Sequence, residues 1–138
     1  MKFILNLLFI VLLFTCCNNV TQVKQDNELT EFIIETFKDQ DNIIDLSNNK
    51  SFEWDELLIL RPESDIHKVE KKYNLNLLDL NRINSKKDIN LMIFLKNKKA
   101  IRFCKIPISS GKLLMNDKLL KKADVSIGLS TDNEFHFF

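Results

Sequence analysis

Glycine and proline are nearly missing from this chain, with two of each in 138 residues. Their scarcity excludes collagen-like and Gly/Pro-rich linker architectures and leaves no Gly-rich loop to cradle a phosphate. An excess of charge of one sign is missing too. Lys and Arg total 20 against 19 Asp and Glu, a formal net charge of +1. A nucleic-acid-binding protein carries a strongly basic footprint, so no nucleic-acid partner is expected. Arginine is scarce, 3 against 17 lysines, in a chain rich in Asn, Ile and Phe; this reads as a compositional habit of the source rather than as chemistry. What is present is ordinary for a globular protein: 45% hydrophobic and 28% charged residues, at a length that suits one domain.

The long hydrophobic run stands at the start. Residues 1–17 read MKFILNLLFIVLLFTCC, with Lys2 as a one-charge leader and Phe3 to Phe14 apolar except for Asn6. About a dozen apolar residues fall short of the roughly 20 that span a bilayer core, so the run fits the apolar stretch of a secretory signal. A buried core helix is the bland alternative, but a segment with no polar face would need a larger domain around it. Leu13-Phe14-Thr15-Cys16-Cys17 resembles the lipobox of bacterial lipoproteins, in which a short apolar-to-small stretch ends at a Cys. The resemblance implies acylation of that Cys and cleavage just before it. With Cys16 as anchor, Leu13 matches the preferred leucine, while Thr15 departs from the usual Gly, Ala or Ser. With Cys17 as anchor, Thr15 fits and Cys16 stands where a small residue is expected, so the reading leans to Cys17. The alternative is a plain secretory signal with two leftover thiols.

Two acyl chains hold a protein stably at a membrane where one is marginal. The polar stretch of residues 17–26 then reads as a tether. No acidic residue stands just after the Cys, where some lipoproteins carry a surface-export signal, which favours a periplasm-facing position if the source has two membranes. Removing residues 1–16 leaves 19 basic and 19 acidic residues, a net charge of zero. Cys104 is then the one thiol in the folded part, so no disulfide can form within the domain.

Beyond the tether the pattern predicts a single α+β domain over 27–138. Leu29, Phe32, Ile33 and Phe37 stand at helical spacing, which predicts a helix over 27–38, capped by Asp26 or Asn27. Asp39 to Asn42 breaks it, and Ile43 to Leu46 is a short strand. Phe52, Trp54, Leu58 and Leu60 alternate, which predicts a strand with these four on one face, stopped at Pro62. A second helix runs from a Ser64 cap to Tyr73, with Asn74 as its left-handed terminator. Asp88 to Pro107 predicts a hairpin turning at Lys96 to Lys99, with Ile89, Leu91, Ile93 and Leu95 on one face and Ile101 and Phe103 against them. Leu113 to Lys122 reads as a short helix or an irregular crossing. Val125, Ile127 and Leu129, then Phe135 and Phe137, predict a closing hairpin. The expected architecture is an antiparallel sheet with two helices packed on one face.

The Phe52-Glu53-Trp54-Asp55 segment running into an apolar strand, followed by the hairpin that opens Ile89-Asn90-Leu91, resembles a group of small bacterial lipoproteins and secreted proteins. The likeness covers about residues 42–106. It departs at the turn, where Asn97 is followed by Lys98 instead of Gly. It implies fold and export and carries no activity.

Candidate chemistry is sparse. Trp54 and Asp55 at a strand end form the best binding candidate, a shelf for a sugar or peptide; the competing reading makes Trp54 core and Asp55 a cap or ion-pair partner. His67 and His136 lack a second ligand at metal spacing, so no metal site is expected. Cys104 with a distant His could act as nucleophile and base, but a lone thiol inside a strand is more often a small buried apolar residue. Lys118, Lys121 and Lys122 read as a solvated helix face. No catalytic residue and no cofactor are expected. Two functions remain: a monomeric, lipid-anchored envelope domain that binds a protein partner, of immunity or inhibitor type, or an envelope enzyme without a sequence signature. Convergent polar side chains in one pocket would favour the enzyme, and a shallow apolar or charged face the binder.

Overall fold

A computed structural model describes residues 23–38, 43–77, 80, 86–113, 117–129 and 134–137. In chain order the elements are β1 (Lys24–Gln25), α1 (Asn27–Lys38), β2 (Ile43–Asp45), β3 (Glu56–Leu60), α2 (Ile66–Tyr73), β4 (Ile89–Lys96), β5 (Lys99–Pro107), β6 (Lys112–Leu113), β7 (Lys118–Lys121), β8 (Ser126–Leu129) and β9 (Glu134–Phe137). The class is α+β, with helices packed on a mostly antiparallel sheet, as the residue pattern predicts. Cys16 and Cys17, the residue 39–42 break and the residue 130–133 turn lie outside the described residues.

The β4–β5 hairpin is the centre of the five-stranded sheet, whose order is β1-β5-β4-β3-β7. Asn97 and Lys98 both take positive φ, 49° and 65°, the pairing that a two-residue turn needs to match strand twist. Asn90 to Leu95 are six consecutive buried residues, so this strand is covered on both faces. Leu91, Ile93 and Leu95 pack with Leu58, Leu60, Ile66 and Val69 on one side. Met92 and Phe94 pack with Ile33, Phe37, Leu57 and Ile59 on the other. The one polar side chain in the run, Asn90, is satisfied by donating from Nδ2 to the Gly111 carbonyl at 3.0 Å. Gly111 sits at φ 152° and ψ 147°, a region that a Cβ makes costly.

Those two clusters correct the expected layering. The helices lie on opposite faces of the sheet, α1 with the Met92 side and α2 with the Leu91 side. The face carrying α1 is also covered by a second sheet of order β2-β8-β9-β6, which contributes Ile44 and Ile127 to the core. Pairing of β8 with β9 bears out the closing hairpin.

Other departures have local causes. Phe52 to Asp55 is not strand, and the switch into β3 at Glu56 breaks the alternation, so Trp54 joins Leu57 and Ile59 while Leu58 and Leu60 face the other way. A β-bulge sets Phe94 opposite Arg102 and Leu95 opposite Ala100, leaving Ile101 unpaired. The extra residue sends Ile101 to the α1 face and Phe103 to the α2 face. Asp65, not Ser64, caps α2 by accepting from the Lys68 N–H at 3.1 Å. Ser64 instead donates its hydroxyl to Asp117. Asn74 does end the helix in the left-handed region. Lys118 to Lys121 is an edge strand paired antiparallel with β3, not a helix.

The fold also begins earlier than residue 27. Lys24 and Gln25 pair in parallel with Arg102 and Phe103, and the Asp26 N–H donates to the Phe103 carbonyl at 2.9 Å. The polar stretch expected to run as a tether to residue 26 therefore enters the sheet at Lys24.

Candidate functional site

Trp54 and Asp55 do different jobs. Trp54 is 3% exposed and meets Phe94 edge-to-face, with ring centroids 5.2 Å apart. Lys122 Nζ lies 4.9 Å from the indole centroid, a cation–π contact that seals the ring's outer side. The indole Nε1 has no hydrogen-bond partner among the described residues. Asp55 is partly exposed and serves the hairpin turn. Its Oδ2 accepts from the Asn97 N–H at 2.8 Å, and Oδ1 lies 3.2 Å from Lys96 Nζ. The Asn97 N–H, then the Lys96 ammonium, hold the Asp55 carboxyl below its ordinary 3.8. A lowered carboxylate contributes stability above its unfolded value, and that contribution fades as pH falls below about 3.8. The pair is thus core plus turn cap, and it leaves no aromatic shelf.

Cys104 is fully buried at the α1 face, and burial pushes its thiol up to about 12. A nucleophilic cysteine needs the opposite shift. Native protein at pH 8 is expected to resist a thiol reagent for as long as the fold is intact and to titrate Cys104 at once in denaturant. Fast labelling of the native state would show that the thiol is accessible. Of the histidines, His67 lies exposed on α2 with Nδ1 3.5 Å from Glu70, and His136 is a residue of β9. Among the described residues no three His, Cys, Asp or Glu side chains come together as a metal would require. Lys118 and Lys121 are the end residues of β7 and Lys122 opens the short turn after it, so they lie on a strand and turn instead of the expected helix face.

Among the described residues a concave surface lies against α1. Asp26 is its corner. The Asp26 carboxylate caps α1 by accepting from the Leu29 N–H at 3.0 Å, and its second oxygen takes the Arg102 guanidinium at 2.8 Å. Beside it Arg102 stacks on Phe52, with Cζ 4.6 Å from the ring centroid. Across from α1, the chain leaves β2 in a 3₁₀ turn, Leu46–Asn48, held by Asp45, which accepts from the Ser47 N–H at 2.9 Å and from Asn48 Nδ2 at 2.7 Å. Between helix and turn opens a cleft of about 450 Å³, with Leu29, Phe32 and Leu46 as its apolar lining and Glu28, Asp45 and Asn48 on its rim.

Phe32 is the unusual residue here. It is 55% exposed, on a helix whose Ile33 and Phe37 are core. It also lines a second hollow of about 430 Å³ with Glu28, Glu31, Ile34 and Glu35. The ring is therefore a ridge between two depressions. Residue periodicity alone assigns Phe32 to the apolar stripe and gives no sign of its exposure. The signal available was angular. Residue 32 sits 100° from Ile33 and only about 40° and 60° from Glu28 and Glu35, toward the edge of the stripe.

No protein-family model matches the chain, and no curated protein and no solved structure is similar to it.

Proposed function

We propose that this chain is a non-catalytic binding domain, held at the membrane of the bacterial cell envelope by acylation of Cys17 or Cys16, which engages a protein partner through the cleft over α1. The observation that carries the binding part is Phe32, a large aromatic left in solvent at the lip of a formed cleft. Exposed aromatics of this kind anchor interfaces. The polar groups around it support binding over catalysis. Asp26 is engaged by Arg102 and Leu29, Asp45 by Ser47 and Asn48, and Asn49 by Ser51. An enzyme would need such groups aimed at a substrate instead of at one another. No cofactor enters this reading, and the domain acts as a monomer.

The anchoring part rests on the Leu13 to Cys17 stretch. Metabolic labelling with an acyl probe is expected to mark the wild type and to leave the Cys16→Ser, Cys17→Ser double variant dark. A secreted product carrying an intact, unacylated Cys at its N-terminus would replace the lipid anchor with plain export.

A further inference from the structure

We infer that the occupant of the α1 cleft is a cationic polypeptide segment that inserts one apolar side chain beside Phe32. The inference rests on the binding reading above and names the partner's chemistry. The apolar part follows from Leu29, Phe32 and Leu46, which line the cleft with Phe32 at its lip.

The charge follows from an accounting of the rim. Arg102 is the one cation lining either depression, and Asp26 already neutralises it at 2.8 Å. Glu35 is matched by Lys38, also at 2.8 Å. Glu28, Glu31 and Asp45 remain, without an ion pair among the described residues. Glu28 and Glu31, with the charge that Asp45 keeps while accepting from the neutral donors of Ser47 and Asn48, favour lysine or arginine flanking an apolar residue. They disfavour an anionic lipid surface by like-charge repulsion.

The test uses the folded protein and three synthetic peptides of equal length. One carries Phe flanked by lysines, one carries Phe flanked by glutamates, and one carries Gly flanked by lysines. Amide chemical shifts and calorimetry report binding. The Lys/Phe peptide is expected to shift the resonances of Leu29, Phe32 and Asn48. Its affinity should fall about tenfold or more between about 20 and 200 mM salt, as screening shortens the reach of the rim carboxylates. Phe32→Ala, and Glu28→Gln with Glu31→Gln, should each weaken binding at least about fivefold while leaving the melting transition in place. Equal binding of the Lys/Gly peptide would remove the apolar anchor from the proposal. Equal or tighter binding of the Glu/Phe peptide at the same resonances would overturn the cationic partner and leave the binding reading standing. Cleft resonances unmoved by all three peptides would sink the docking site, and the binding reading with it.

Discussion

Leu91→Asp and Ile93→Asp are each expected to yield a chain with no cooperative thermal transition and no near-ultraviolet dichroism. Both side chains are fully buried on the α2 face of the central strand, among Leu58, Leu60, Ile66 and Val69. An aspartate there has no cation or hydrogen-bond donor from those neighbours. Burying an unpaired carboxylate costs several kcal/mol, and the lost apolar packing adds about 2–5 kcal/mol. Whole domains of this size are stable by only about 5–15 kcal/mol. A cooperative melt with native dichroism in either variant would mean that the α2 face of β4 is not a core.

Trp54→Ala should cost about 3–5 kcal/mol, the usual range for deleting a large aromatic from a packed site. The indole fills the space between Phe94 and Lys122, and its removal also uncovers Leu57 and Ile59. Trp54→Phe should cost clearly less, because it keeps a ring against Phe94 and removes an Nε1 donor that has no partner among the described residues. As the chain's single Trp, it should emit blue-shifted and resist a soluble quencher. The neighbouring Asp55→Asn should move stability by under about 1 kcal/mol, since the amide oxygen can still accept from Asn97 while the exposed pairing with Lys96 is lost. A red-shifted, readily quenched Trp54 whose loss leaves stability intact would restore this strand end as a binding surface.

What was legible in the residues was what depends on near neighbours. The bounds of α1 follow from the Asp26 cap and the spacing of Ile33 and Phe37. The central hairpin follows from alternation and from Asn97, which tolerates positive φ. Features set by distant partners were not legible. Ile101 looks like any strand residue, and only its pairing with β4 makes it the bulge. Lys118 to Lys121 has no pattern of its own, and it is a strand because the edge of β3 is there to pair with. Trp54 and Asp55 are adjacent in sequence, but their separate roles depend on Phe94 and on the Asn97 turn, contacts across about forty positions of chain. Phe32 stands on the helix that the spacing predicts. Its exposure depends on β2 and the turn after it standing back to open a cleft, which no local pattern encodes.

The pairing of β7 with β3 comes late in chain order, with β8 and β9 later still. During synthesis β3, β4 and β5 emerge before β7, and their meander can assemble while the outer edge of β3 is still bare. Only after Lys118 to Lys122 has emerged does Leu120 come opposite Leu57, the Lys122 N–H reach the Asp55 carbonyl at 2.8 Å, and the ammonium cap Trp54. Until then the nascent chain carries an unprotected strand edge beside an uncovered indole, the arrangement most open to mispairing. Closure across so long a loop is slow compared with hairpin formation. In stopped-flow refolding the blue shift of Trp54 should therefore lag the gain of β-sheet dichroism. Coincident traces would place the pairing of β7 in the same event as the β3–β4–β5 meander rather than after it.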